Sequence, residues 1–236
     1  MKTKVYMLQA TLNDIEPVVD RTFLIPGAFK LNKLAYSMMV MFEMQASHLY
    51  SFDHKKEIDL DDPTLKEVPE KYRQFEINRR SQQLYQLPEL DEDRQSDTLD
   101  PKKVTVDKVF DENDELNFTY DFGDDWTVGI KVLTTFDDPM VNSKDYPVVI
   151  HGNSYGIVED IGGVAGLNQV LDDLKLLKGN DSFEYKYINH IPFSSFGSFD
   201  RDDINYRLKK IPRWYANVYE KGAKLTEKQI DFIMRY

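Results

Sequence analysis

The chain has 236 residues, with 30 Lys and Arg against 41 Asp and Glu, which gives a net charge of −11. Its hydrophobic content of 41% predicts a folded globular protein and excludes a disordered chain. The absence of cysteine excludes disulfides, cysteine-bound zinc, iron–sulfur clusters and thiol nucleophiles. Because the negative charge opposes attraction to phosphate backbones, direct binding of nucleic acids is not expected.

No targeting or membrane segment is evident in the sequence. The basic start of the chain is not followed by a long apolar stretch, and nowhere do about 18 apolar residues run together. We therefore expect neither secretion nor membrane insertion, and predict a soluble cytoplasmic protein.

The first quarter of the chain alternates between strand and helix patterns. Residues 4–12 and 18–25 predict two strands joined by a turn that contains Pro17. Apolar side chains at helical spacing over residues 31–42 predict an amphipathic helix. Residues 47–54 predict a short aromatic strand with His48 and His54 on one face. Two histidines so far apart on a strand cannot bind the same metal ion.

Residues 55–103 differ from their surroundings because acidic stretches lie near both ends, at 59–63 and 90–97. A helix is predicted at 69–86, with Pro69 suited to a first helical turn and Pro88 to a stop. We interpret residues 55–103 as an acidic, partly helical insertion within a single domain at 4–210. Residues 211–236 are expected to form a helical C-terminal extension.

The clearest pattern is a hairpin. Apolar residues alternate with polar ones over 116–122 and again over 126–132, which predicts two half-buried strands. The loop between them predicts a turn in which Gly123 takes a positive φ. Asp121, Asp124 and Asp125 are expected to cluster at this end of the hairpin. Turn chemistry alone explains aspartates at such positions, so the cluster need not be functional.

Helix signals dominate the last third of the chain, after a predicted strand at 146–150. Gly162 and Gly163 precede a predicted helix for which Gly179 would be the stop. Asp200 is expected to cap a helix that runs to Lys210, and Thr226 opens a capping box for the last helix.

Several motifs together carry a family resemblance. They are Tyr120-Asp121-Phe122-Gly123-Asp124-Asp125-Trp126, then Glu159-Asp160-Ile161-Gly162-Gly163 before a helix, with Pro26-Gly27 and His48-Leu49-Tyr50-Ser51-Phe52 upstream. This combination resembles the plasmid pRiA4b ORF-3-like family, whose members have also been labelled as TnpR-type transposon resolvases. The resemblance implies an α+β fold with a curved, mainly antiparallel sheet and packed helices. It implies no established function.

The chain departs from the family pattern at several positions, as a divergent member would. Ala35, Tyr50 and Val128 stand where the family carries histidines, so a histidine-based site would be incomplete here. The resolvase label also fails chemically, because an activated serine among arginines and a basic DNA-binding domain are both missing from the pattern.

Two hypotheses about function follow. The first is a non-enzymatic binding or accessory module with a protein partner and no cofactor. The second is a magnesium-assisted hydrolase or nuclease-like enzyme, since carboxylate oxygens are natural ligands of Mg²⁺. Its candidate ligands are Asp121, Asp124, Asp125, Glu159 and Asp160.

The catalytic candidates are His48, Asp121 and Asp124. A hydrogen-bonded packing role is the alternative for His48. The enzyme hypothesis requires the hairpin turn and the Glu159-Asp160 loop to meet in space.

Overall fold

Nine strands and eight helices are assigned in the part of the chain that the computed structural model describes, which comprises residues 3–88, 97–111, 115–177, 187–188, 191–192 and 195–235. The strands are β1 Thr3–Leu12, β2 Asp20–Pro26, β3 Tyr50–Lys55, β4 Gln82–Tyr85, β5 Glu115–Tyr120, β6 Trp126–Asp138, β7 Val148–Asn153, β8 Tyr187–Ile188 and β9 Ile191–Pro192. The helices are α1 Leu31–Met41, α2 Pro63–Lys66, α3 Glu70–Arg80, α4 Val106–Phe110, α5 Gly163–Leu177, α6 Arg201–Leu208, α7 Ile211–Lys221 and α8 Glu227–Met234.

The main sheet has seven strands in the order β4-β3-β5-β6-β1-β2-β7, and every neighbouring pair is antiparallel. The predicted α+β class with a mainly antiparallel sheet is confirmed. The predicted hairpin is β5 and β6, in which Tyr120 pairs with Trp126. None of the helices in the described ranges is both long and apolar enough to cross a membrane.

One helix prediction was too long. Helix α3 ends at Arg80, and residues predicted to continue it form β4 instead. Strand β4 pairs with β3, where Phe52 faces Tyr85 across the ladder. Pairing with an existing strand therefore overrides local helix propensity. Most of the acidic stretch 90–97 and the expected stop at Gly179 lie outside the described residues.

Helix α1 is buried on almost every side rather than amphipathic as its spacing predicted. Ten of its eleven residues are buried, and Lys33 is the exposed one. It packs against α6 and α7 and shares one hydrophobic core with the inward side chains of the main sheet. The C-terminal helices therefore cover a surface that the sequence pattern left to solvent.

Two predicted helix caps are present. The Asp200 side chain accepts hydrogen bonds from the backbone N–H groups of Asp202 and Asp203 at the start of α6. Thr226 and Gln229 form the reciprocal capping box of α8. Both motifs satisfy N–H groups that a helix start leaves unpaired, and both depend only on neighbouring residues.

A buried ion pair holds the end of the chain against the core. Glu43, two residues after the end of α1, accepts hydrogen bonds of 2.9 and 2.8 Å from Nη1 of Arg207. Arg235 adds a bond of 2.7 Å from its Nη2 to the same carboxylate. Removing either partner of such a pair would leave an uncompensated buried charge, so α6 and the residues after α8 are fixed to the end of α1.

The side chain of Arg21 is fully buried and binds backbone carbonyls from three segments. Its Nε donates to Met41 O at 2.8 Å, and Nη1 donates to Asp20 O and Asn153 O at 2.6 Å each. Nη2 donates to the carbonyl oxygens of Ser154 and Tyr155. The guanidinium also stacks near the Phe199 ring, 4.6 Å from its centroid.

Burial lowers the pKa of Arg21 to about 10, against the opposing influence of Glu43 and Asp20. The guanidinium is still charged at neutral pH. It replaces lost hydration with carbonyl oxygens, which is the requirement for a buried cation.

We expect Arg21→Met to lower the free energy of unfolding by about 3 kcal/mol or more, because buried carbonyls would lose their donors. Urea denaturation followed by circular dichroism measures the change. Arg201→Met is the matched control, since that side chain is half exposed and pairs with the neighbouring Asp202. Equal stability of the two variants would contradict the structural role given to Arg21.

Candidate functional site

His48 lies in the loop between α1 and β3 and not on a strand, because β3 begins only at Tyr50. The predicted strand at 47–54 was therefore wrong at its start. The Tyr219 hydroxyl of α7 donates to the backbone carbonyl of His48 and holds the loop against the helix. The imidazole keeps about 30% of its side-chain surface exposed, so it can reach a binding partner.

Three carboxylates surround this imidazole. Asp121 Oδ2 lies 3.4 Å from Nδ1, and Glu159 Oε2 lies 3.5 Å from Nε2. Asp160 Oδ1 lies 3.7 Å from Nε2. The hairpin turn and the Glu159-Asp160 loop thus meet at one side chain. We call His48, Asp121, Glu159 and Asp160 the His48 cluster.

The hairpin turn has a different backbone from the predicted one. Positive φ values occur at Asp121 (56°) and Asp125 (54°), whereas Gly123 has none. Asp121 tolerates this conformation because its Oδ1 accepts a 3.0 Å hydrogen bond from the Gly123 N–H, and its carbonyl accepts one from Asp125. The turn therefore directs the Asp121 carboxylate inward, toward His48, although the alternation had placed it on the polar face.

Glu159 is the most buried carboxylate of the cluster. Its Oε1 accepts hydrogen bonds from Gln45 N at 2.7 Å and from the Tyr120 hydroxyl at 2.8 Å. Burial raises the pKa of Glu159, while these two hydrogen bonds and His48 oppose the rise. A desolvated carboxylate beside a partly exposed imidazole is a common feature of functional sites.

Tyr120 belongs to the site, although its sequence pattern predicted only a place in the hairpin strand. Its hydroxyl accepts a 3.1 Å hydrogen bond from Ser47 N and donates to Glu159. Its ring meets His48 edge to face at 5.7 Å between centroids. Burial raises the Tyr120 pKa, so the hydroxyl remains protonated and able to donate. The sequence offered one signal for this role, because Tyr120 places a polar hydroxyl on the buried face of an alternating strand.

Asp124 and Asp125 do not join the cluster. Within the described ranges, neither forms an ion pair with His48, and the Asp125 side chain is exposed. The Asp124 backbone packs against Gly163, whose φ is 66° and where a Cβ would overlap the Asp124 carbonyl oxygen. Gly163 is thus needed for the close approach of the two loops.

The carboxylates of the cluster are not directed at one point. In the part of the chain that the structure describes, no group of three or more His, Asp or Glu side chains could hold a metal ion together. The imidazole stands between the Asp121 and Glu159 carboxylates, and Glu159 Oε1 is already bound by two donors. A hard cation would need those oxygens directed at one point.

Two exposed apolar residues are sequence neighbours of members of the His48 cluster. Leu49 is 37% exposed and Phe122 is 49% exposed. They follow His48 and Asp121 directly in sequence, and a hydrogen bond of 2.9 Å from Asp121 N to Leu49 O joins the two loops. Exposed apolar residues therefore lie one position away in sequence from two members of the cluster.

Comparisons with known proteins identify relatives but no activity. The family described as "Plasmid pRiA4b ORF-3-like protein" matches residues 4–207. The chain is 25% identical over 176 residues to "Uncharacterized protein y4hQ" of Sinorhizobium fredii (strain NBRC 101917 / NGR234), covering 74% of this chain and 75% of that protein.

The crystal structure of a protein of unknown function, MM3350 from Methanosarcina mazei Go1, has a similar fold. The TM-score is 0.60 at 22% identity, over 86% of this chain and 97% of the other. At that identity the likeness concerns the fold alone. The family match extends from β1 into α6 and includes all four residues of the His48 cluster. The chain therefore belongs to the plasmid pRiA4b ORF-3-like family.

Proposed function

We propose that this chain is a cytoplasmic, non-enzymatic binding module that docks a partner protein at the His48 cluster. The observation that carries the proposal is the convergence of three carboxylates on one partly exposed imidazole. Several carboxylates around a single ring create a locally negative potential, which attracts a cationic group. A Lys or Arg side chain of the partner is the group that fits.

The apolar residues near the cluster further restrict the kind of partner that can bind. Leu49 and Phe122 are exposed and directly follow His48 and Asp121 in sequence, so they offer apolar area on the same two loops. A protein segment with a basic residue beside an aliphatic or aromatic one would satisfy both parts of the surface. A nucleic acid would not, because its phosphates would face Asp121, Glu159 and Asp160.

The geometry favours binding over acid–base catalysis. Both ring nitrogens of His48 face carboxylates, so neither is directed at a nucleophile. Catalysis by a His–Asp pair needs one nitrogen held by the acid and the other free for proton transfer.

The acidic insertion is a less suitable docking surface. No residue of its helix α3 is buried, and Glu76 pairs with Arg79 and Arg80 of the same helix. Charges paired within one helix offer little to a partner.

A magnesium-assisted hydrolase is the second candidate. The meeting of the hairpin turn and the Glu159-Asp160 loop is the arrangement that it requires. The donor geometry described above does not fit one ion, so we propose that binding needs no cofactor.

Selection of peptides on the wild-type chain tests the docking proposal. We expect the selected peptides to carry Lys or Arg next to an apolar residue. Asp121→Asn with Asp160→Asn should weaken their binding about tenfold or more, because the attracting charge is lost. Both sites have positive φ, which Asn tolerates, so the turns should be retained.

The matched control is Asp137→Asn with Asp145→Asn, which removes two exposed carboxylates elsewhere. Fluorescence anisotropy measures each affinity at low and high salt. Peptides without basic residues, or equal affinity of the two double variants, would show that the cluster is not the docking site.

The free energy of unfolding of the Glu159→Gln variant, relative to that of the wild type, should increase as the pH rises. Because the pKa of Glu159 is raised above its ordinary 4.5, its contribution to stability is present in acid and lost as the pH rises through the folded-state pKa. Gln keeps an oxygen to accept from Tyr120 and Gln45 without a buried charge. Urea denaturation at about pH 4 and about pH 8 measures the difference between variant and wild type. A difference that does not grow with pH would contradict the raised pKa.

Addition of Mg²⁺ should leave the midpoint of thermal unfolding unchanged, because a ligand raises it only by binding the folded chain. Differential scanning fluorimetry with and without Mg²⁺ gives the comparison. A rise that disappears in the Asp121→Asn, Asp160→Asn variant would instead support the hydrolase.

A further inference from the structure

A second site lies in a cleft between α1, the residues before β7 and the start of α7. Its volume is about 660 Å³. Pockets that bind small organic molecules have volumes of about 300–1,000 Å³. None of the His48 cluster residues lines this cleft.

The cleft is basic although the chain is acidic. Four cationic residues line it, which are Lys33, Lys144, Lys209 and Arg213. Across the described ranges, none of these four lies in an ion pair with a carboxylate. All four side chains are exposed, so their charges are available to a ligand. Four unpaired cations around one cavity attract an anion.

Asn32 is one of the lining residues and carries an unpaired acceptor. The residue is only 8% exposed. Nδ2 donates to Glu220 Oε1 at 2.8 Å, which fixes the amide orientation because a carboxylate only accepts. Oδ1 has no hydrogen-bond partner among the described residues. A buried acceptor without a donor is costly, so an N–H or O–H donor supplied by a ligand would be favourable here.

Glu220 is the one carboxylate among the described lining residues, and it accepts hydrogen bonds. Its Oε1 also accepts a 3.0 Å hydrogen bond from the Tyr36 hydroxyl. Two donors therefore reduce the repulsion that Glu220 would exert on an anion. The lining also includes the aromatic residues Phe29 and Tyr146 and the ring of Pro147. Such walls suit a planar body.

We propose that this cleft binds a small organic anion with a planar body. The negative group would face the lysines and Arg213, and an N–H or O–H of the body would donate to Asn32 Oδ1. A mononucleotide has these three features and a suitable size. The proposal does not rest on the docking function of the His48 cluster, because the two sites share no lining residue.

Calorimetry on the full chain tests this with two matched probe pairs, AMP with adenosine and indole acetate with indole acetamide. At least one anion should bind, and its neutral counterpart should bind about tenfold or more weakly. Arg213→Glu should weaken the binding of the anion by a similar factor, because it reverses one charge of the cleft. Lys224→Glu makes the same charge change at an exposed residue outside the cleft and should have little effect.

Asn32→Leu removes the buried acceptor while keeping the branched shape and the number of side-chain heavy atoms, and it should also weaken binding of the anion. Circular dichroism confirms that each variant is folded. The assignment is overturned if neither anion binds, if neutral and charged probes bind equally, or if Arg213→Glu and Lys224→Glu behave alike. Inorganic phosphate that binds as tightly as AMP would overturn the role of the planar body.

Discussion

The buried guanidinium of Arg21 is the interaction on which the rest of the structure depends. It joins β2 to Met41 at the end of α1 and to Tyr155 after β7. These are the points from which the chain proceeds to His48 and to Glu159. The Phe42 carbonyl accepts a hydrogen bond from Ile157 N at 2.9 Å, which keeps the two segments together beyond Arg21. A rigid interior cation thus positions two surface loops, because each carbonyl it binds is fixed in direction.

Burial of charge is used differently at the two sites. In the His48 cluster, the buried Glu159 carboxyl accepts hydrogen bonds from Tyr120 and Gln45 just under the surface. In the cleft, the charges are exposed lysines and Arg213, and the buried element is the neutral amide of Asn32. One surface is therefore suited to a cationic partner and the other to an anionic ligand. The net charge of −11 does not reveal that the two surfaces carry opposite charges.

Helix α7 takes part in both places. Tyr219 donates to the His48 carbonyl, and its ring stacks on Tyr36 at 5.7 Å between centroids. The next residue, Glu220, binds Asn32 and Tyr36 in the cleft.

The positions that depart from the family pattern lie in the core. Ala35, Tyr50 and Val128, where the resembling family carries histidines, are all buried packing residues in this chain. The one histidine retained from the resembling motifs, His48, is also the one that reaches the surface.

Sequence alone determined what depends on near neighbours. The alternation of β5 and β6, the Asp200 cap and the Thr226 capping box all follow from residues a few positions apart. Tertiary structure decided the rest. Strand β4 replaced a predicted helix end because β3 offered a partner, and Asp121 turned inward because its backbone adopts a positive φ. Glu159 meets Gln45 and Tyr120 across 114 and 39 residues, a convergence that no local period encodes. Periodicity gives the face of an element, whereas the distance between two loops is set by the packing of the whole core.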